Sequence, residues 1–403
     1  MRKFTNYMLA GSMIMLLTAC ANSNVQETSP PSASTAGSSA AAETTVETVT
    51  ETSAGVSDKA AETIENTEGL LVIREQGAFS VGGTVVEVPG EYVSQNFDSW
   101  QPYPEGQTYH GDHASVSYQI PENGNGLPMV FLHGAGQSAR SWQTTPDGRD
   151  GFQNLFLRRG FSTYLIDQPR RGQAGRSTEE VQITPVADEQ MWFEIWRMGH
   201  WPEYSEQVQF PQDEESLEQF FRWMTPNTGS FNAGLIAETT AQVFEESGAG
   251  VLVTHSQGGL PGWMAAVQSD KITAVVAYEP GNYLFPEDEV PEAMPSRTGT
   301  LQGVGVPMDE FMKLTEKPIV IYFGDYIPEA DEISDDLGAE NWRVRQALGE
   351  QFVAAVNSYG GDATLVKLPE LGIYGNTHFL FAELNNAELA DLLVDWMTER
   401  ELY

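Results

Sequence analysis

The stretch Val251-Leu252-Val253-Thr254-His255-Ser256-Gln257-Gly258-Gly259 decides how this chain is read. Its apolar, β-branched start reads as a short buried strand, residues 250–254. The glycines after Gln257 mark a sharp turn, and a helix is expected to begin there. A serine at a strand–turn–helix junction is held in a strained backbone conformation, so small residues must flank it. The helix behind it points N–H groups and its positive dipole end at the place where an oxyanion develops. The spacing is that of the G-x-S-x-G nucleophile motif, with Thr254 replacing the first glycine.

Outward from this strand the pattern repeats. Upstream, strands are expected at 70–73, 84–88, 115–120, 129–132 and 161–166. Downstream, further apolar runs lie at 272–277, 319–323 and 364–368. Helical stretches separate them, at 233–246 and 343–358, and an amphipathic helix at 383–398 carries Leu389, Leu392, Leu393 and Trp396 on one face. Short buried strands alternating with helices imply an α/β class, with a mostly parallel central sheet flanked by helices. One folded domain, 69–403, is expected, interrupted by a long insertion at 178–230. The insertion holds four of the nine tryptophans, including Trp192, Trp196, Trp201 and Trp223, with Phe193, Met198, Tyr204, Phe220, Phe221 and Met224. It reads as an aromatic-rich cap whose rings either pack a satellite core or face an apolar substrate.

Serine is a weak nucleophile until a base takes its proton. Six histidines are available. His255 adjoins the serine and is expected to point elsewhere. His133 opens a His-Gly-Ala-Gly loop after the strand at 129–132. His110 and His113 could form a metal pair but read as turn and strand edge, and His200 lies among the insertion's tryptophans. His378, in Gly375-Asn376-Thr377-His378 before the last helix, stands where a base would follow Ser256 and an acid in chain order. Two carboxylates could orient it: Glu279, after the strand at 272–277, or Asp325, after the strand at 319–323. For the oxyanion, the backbone N–H of Gln257 and one from the loop after Leu132, Ala135 or Gly134, are the expected donors. This chemistry asks for no metal and no organic cofactor.

Several segments together resemble the bacterial esterase 713 family of the α/β-hydrolase superfamily. They are Leu132-His133-Gly134, Thr144-Thr145-Pro146-Asp147-Gly148-Arg149, Leu165-Ile166-Asp167-Gln168, His255-Ser256-Gln257, Glu279-Pro280-Gly281, Phe323-Gly324-Asp325 and Gly375-Asn376-Thr377-His378. The resemblance spans roughly 77–398. It implies an α/β-hydrolase fold and a glutamate acid after the strand that follows the nucleophile helix. That selects Glu279 and leaves Asp325 to order its own loop. One departure stands out: the family carries two cysteines after its His-Gly, where this chain has Ala135-Gly136. The expected activity is a serine esterase acting through Ser256, His378 and Glu279 on a small-molecule ester. Amidase, thioesterase and lactonase chemistry use the same machinery. An inactive hydrolase-fold surface binding protein is the reading from another class.

Charge and cysteine usage bound the setting. The 403 residues carry 57 acids against 21 Lys and Arg, a net charge of −36. Setting aside the eight acids of 21–68 and the bases Arg2, Lys3 and Lys59 leaves 49 acids and 18 bases, about −31, in 69–403. Such a surface excludes phosphate-backbone binding, hence nucleic acid, and implies a mild bias against anionic substrates. The single cysteine excludes an intrachain disulfide and multi-cysteine metal sites. It sits in Leu17-Thr18-Ala19-Cys20, after Arg2-Lys3 and an apolar run, which resembles a bacterial lipoprotein signal at 1–20. The resemblance implies lipidation of Cys20 and an exported, envelope-anchored catalytic domain that meets the membrane only through that lipid. Residues 21–68, rich in Ser, Thr, Ala and Glu, read as a disordered tether. The sequence assigns no oligomeric state.

Overall fold

The computed structural model describes residues 69–94, 103–124, 126–297 and 299–403. The expected signal, Cys20 and the tether lie outside the described residues. A compact unit spans Leu71–Tyr403.

Eight strands form its central sheet: β1 (Ile73–Val81), β2 (Ala114–Pro121), β3 (Met129–Leu132), β4 (Thr163–Asp167), β5 (Gly250–His255), β6 (Ile272–Tyr278), β7 (Pro318–Phe323) and β8 (Asp362–Lys367). Their spatial order is β1-β2-β4-β3-β5-β6-β7-β8. β2 runs antiparallel to both β1 and β4, and every pairing from β4 to β8 is parallel. The expected α/β-hydrolase fold is therefore present. Among the described residues eight helices accompany the sheet: α1 (Phe152–Arg158), α2 (Glu189–Ile195), α3 (Glu214–Phe221), α4 (Ala233–Ser247), α5 (Gly259–Gln268), α6 (Met308–Thr315), α7 (Leu337–Ser358) and α8 (Asn386–Glu399). Among the described residues no helix is long and apolar enough to cross a membrane.

β5 shows why the central strands read as continuous apolar runs. All six of its residues are buried, and side chains alternate between faces. Leu252 joins a core with Trp263 of α5, Phe244 of α4, Phe311 of α6 and Phe352 of α7. Val251 and Val253 join a second core with Phe152 and Phe156 of α1, and with Leu389, Leu393 and Trp396 of α8. A strand covered on both faces loses its polar alternation.

Several expected elements differ, among them three with a clear physical reason. β1 begins where the run at 70–73 was expected to end. It is an edge strand whose first half carries Arg74, Glu75 and Gln76 and is held by its backbone ladder to β2, while Phe79 and Val81 at its end pack on the core. The strand expected at 84–88 forms at Thr84–Glu87 but pairs with Thr108–Gly111, apart from the central sheet. α7 starts six residues early because the Asp336 side chain accepts from the Ala339 N–H and caps it. That extension carries Trp342 into the site described next.

Candidate active site

Ser256 sits at the end of β5 with φ of +53°, the strained geometry its motif requires, which costs about 1–3 kcal/mol. The neighbours fit around it closely. A Cβ on Gly134 would lie 2.8 Å from Ser256 Cβ, and one on Gly258 2.7 Å from the His133 carbonyl. The departure at Thr254 is accommodated by a compensating gap. A Cβ on Gly262, one helical turn along α5, would meet Thr254 Cγ2 at 2.5 Å, so the threonine occupies space that a side chain at 262 would need. Pro261 falls in the first turn of α5, where its missing N–H has no intrahelical acceptor to lose.

Behind the serine, His378 is 1% exposed and Glu279 fully buried. His378 Nδ1 donates to Glu279 Oε2 at 2.6 Å. Glu279 is reached from Ser256 by a short path, since the Gly281 N–H donates to the Ser256 carbonyl at 2.8 Å. Asp325 does not reach the imidazole with its carboxylate, which accepts the N–H of Tyr326 at 2.7 Å and of Gly375 at 2.9 Å. It ties its own loop to the loop carrying His378. His255 does point away from solvent, yet not away from the site. Its ring centre lies 4.4 Å from that of His378, and its Nε2 donates to the His378 carbonyl at 3.0 Å. Burial holds both rings neutral, well below the usual histidine range; for His378 the charges of Arg197 and Arg345 add to this.

The insertion contributes what no motif announced. Phe193, Trp196, Met198, Phe220 and Trp223 are buried against Phe379 and Phe381 of the His378 loop, so these aromatics pack a core. Trp201 is exposed. Three consecutive residues of this insertion then hold the site together. The Ile195 carbonyl accepts from the Trp342 indole at 2.9 Å, the Trp196 carbonyl from the His378 N–H at 3.2 Å, and Arg197 binds Glu279 with both terminal nitrogens. Arg197 Nε also donates to the Asp325 carbonyl at 2.9 Å. A fully buried carboxylate is stable only with such partners, and the Gly324 N–H supplies another at 2.9 Å. Trp342 lies against His378, ring centres 3.9 Å apart.

The loop after Leu132, where an oxyanion donor was expected, is fixed by a second buried arginine. Arg171 Nη1 donates to the Gly134 carbonyl at 2.8 Å and its Nε to Asn227 at 2.7 Å. His133 adds a bond to that same carbonyl at 3.0 Å. Its tautomer follows, because Nε2 accepts the Gln168 N–H at 3.2 Å, leaving the proton on Nδ1. Pinning the Gly134 carbonyl also fixes the opposite edge of that peptide, the Ala135 N–H.

The Thr144–Arg149 segment acts as a strut. Arg149, paired with Asp147 at 2.6 Å, donates to the Glu383 carbonyl at 3.0 Å and to Asn386 at 2.9 Å. The Glu383 carboxylate is fully buried and accepts from the Thr377 N–H at 2.8 Å and from Asn376 at 2.7 Å. Burial pushes its pKa up to about 7. This inward turn of Glu383 is why α8 starts at Asn386 rather than at 383. His110 is an exposed strand residue, as expected, and His200 is exposed beside Asp336 at 3.4 Å. Among the described residues no group of three His, Cys, Asp or Glu could hold a metal.

Comparison with known proteins agrees with this architecture. The pattern described as "Alpha/beta hydrolase family" matches residues 129–400. The structure titled "The Atomic Resolution Structure of a Novel Bacterial Esterase" aligns with a TM-score of 0.63 and 28% identity, over 82% of this chain and 96% of that one. The protein named "Probable secreted lipase phiG", from Fungal sp. (strain ATCC 74256), is 26% identical over 342 residues, 71% of this chain and 85% of its own length. The match covers the sheet from β3 onward, the Ser256 turn and the His378 loop, and this chain belongs to the alpha/beta hydrolase family.

Proposed function

We propose that the protein is a serine hydrolase of carboxylic esters, with Ser256 as nucleophile, His378 as base and Glu279 as the acid that orients it. The observation that carries this reading is the 2.6 Å contact from His378 Nδ1 to Glu279 Oε2 beside a strained serine turn. A carboxylate on Nδ1 keeps the proton there and leaves Nε2 bare. Nε2 then takes the Ser256 proton as Oγ attacks the ester carbonyl, and returns it to the leaving alcohol. Water repeats the cycle on the acyl-enzyme. The N–H groups of Gln257 and Ala135, with Gly134 as the neighbouring donor, receive the oxyanion. Support for Ala135 is the Arg171 bond that fixes its peptide. Kinship with the esterase 713 group is part of the proposal and is supported by the 28% identical bacterial esterase.

The test is a fluorophosphonate probe together with a short-chain chromogenic ester. Labelling at Ser256 with ester turnover is expected; no labelling of the folded protein sinks the reading in favour of an inactive binding protein. A pH profile adds an independent check. Burial and the cations Arg197 and Arg345 lower the His378 pKa, so the base stays neutral below the ordinary histidine range near 6.5. kcat/KM is therefore expected to fall with decreasing pH only through a midpoint under that value. A midpoint above it contradicts the assignment.

Export with lipidation at Cys20, a tether over 21–68 and a catalytic domain over 69–403 complete the proposal. They are supported by the Leu-Thr-Ala-Cys sequence and by a relative named as a secreted lipase. A Cys20→Ser variant is expected to leave the membrane fraction, and its full retention there excludes the anchor.

A further inference from the structure

Three of the four buried arginines of this domain are matched to carboxylates; buried Arg171 and half-buried Arg345 are not. Arg170 has Asp112 and Glu179, Arg197 has Glu279, and Arg343 has Glu340. Arg171 lacks an ion-pair partner, but its nitrogens bond to Asn227, to the Gly134 carbonyl and to Gln257. Arg345 has no carboxylate and is only partly bonded. Both protons of its Nη1 go to Asn341, to the carbonyl at 2.6 Å and to Oδ1 at 2.7 Å. Among the described residues its Nε and Nη2 meet no acceptor, and the residue is only half-buried. That pair of nitrogens is the edge of a guanidinium that grips a carboxylate with two parallel bonds.

The position of this guanidinium edge is informative. The Arg345 guanidinium carbon lies 5.3 Å from the Trp342 ring centre, and the Trp342 ring lies 3.9 Å from that of His378. The cation is thus stacked one aromatic ring away from the base, close enough to depress its pKa. Desolvation draws the pKa of Arg345 itself down to about 10. In a domain with 49 acids and 18 bases, a partner on the protein was available for every base. A half-bonded cation beside the reacting centre, with its Nε–Nη2 edge open to solvent, is free to take an anionic ligand in place of water.

We propose that the Nε–Nη2 edge of Arg345 binds a carboxylate carried by the substrate. The preferred esters are then those with a free carboxylate beyond the scissile bond, such as half-esters of dicarboxylic acids. The inference rests on the ester-hydrolase reading and deepens it. It reverses locally the bias against anions implied by the net charge, because the field at a half-buried position is set by the nearest charges. The distal carboxylate takes no part in the bond changes; it orients the ester for attack by Ser256.

The experiment compares kcat/KM for p-nitrophenyl hexanoate and mono-p-nitrophenyl adipate, which share a six-carbon acyl chain and differ by the terminal carboxylate. Wild type, Arg345→Gln and Arg345→Lys are measured at low and high salt, each with fluorophosphonate labelling of Ser256. Wild type is expected to favour the adipate ester, less so at high salt. Arg345→Gln is expected to lower the adipate-to-hexanoate ratio by about ten- to hundredfold. Arg345→Lys, keeping charge but losing the two-pronged edge, falls between. A wild-type ratio below one, or a ratio unmoved in Arg345→Gln, overturns the proposal while hexanoate turnover leaves the esterase reading intact. If wild type cleaves neither ester and Ser256 is unlabelled, the esterase reading fails and this one with it. Should Arg345→Gln not fold, the wild-type ratio with its salt dependence and the lysine variant decide.

Discussion

Replacing Ser256 with alanine is expected to lower kcat toward an activated ester on the order of a millionfold, with loss of fluorophosphonate labelling. The size of the effect comes from the interdependence of the group. Without Oγ, His378 has no proton to remove and Glu279 nothing to orient, so the three contributions vanish together. A residue of about 10³- to 10⁴-fold over water is expected, because the Gln257 and Ala135 N–H groups still receive the oxyanion. Stability is expected to move the other way or not at all. Alanine at φ of +53° is no better suited than serine, but a glycine there relieves the strain. A Ser256→Gly variant is therefore expected to be at least as stable in urea while equally inactive. If Ser256→Ala keeps activity within about tenfold of wild type, another nucleophile is at work and the mechanism falls.

Glu279→Gln is expected to lower kcat about 10⁴-fold, and the hydrogen bonds say why so conservative a change is severe. Oε1 of Glu279 accepts from Arg197 Nη2 and the Gly324 N–H, and Oε2 from His378 Nδ1 and Arg197 Nη1. A glutamine must turn its amide oxygen to the side with two firm donors. Its NH₂ then faces His378 Nδ1 and drives the proton to Nε2, the nitrogen that has to receive the serine proton. Arg197 is left with an uncompensated charge in a fully buried place, so the variant is also expected to lose about 3–5 kcal/mol of stability, read as a lower urea midpoint. Asp325→Asn is the contrasting case. It weakens one of two bonds to the Tyr326 and Gly375 N–H groups, so a stability loss of about 1–2 kcal/mol is expected, with kcat changed by less than about tenfold. Equal kcat losses in the two variants contradict the assignment of Glu279.

How far each residue could be read before folding follows from how local its signal is. Ser256 was legible because a nucleophile turn is built by adjacent residues: the strand, the small side chains and the helix start all fall within nine positions. His378 followed from chain order and from its place before an amphipathic helix. The parallel sheet followed from apolar runs that lack alternation, which only a strand covered on both faces produces. β1 escaped because the first half of this edge strand is polar and only Phe79 and Val81 at its end reach the core, and the start of α7 escaped because a single capping aspartate outweighs weak periodicity.

What only the tertiary structure decided is the choice among chemically equivalent groups far apart in the chain. Glu279 and Asp325 are both acids after strands. Only the folded arrangement turns one toward His378 Nδ1 and the other toward the N–H groups of its own loop. Arg197, Trp342, Arg171 and Arg345 carry no motif, since an arginine's partner is set by three-dimensional proximity and burial. The sequence by itself determined the fold class, the strand–turn–helix serine proposed as nucleophile and a net charge of −36. Where a positive charge without a carboxylate partner stands against that acidity belongs to the tertiary structure, because Coulomb interactions near the protein interior depend on distances of a few ångströms that no summed composition contains.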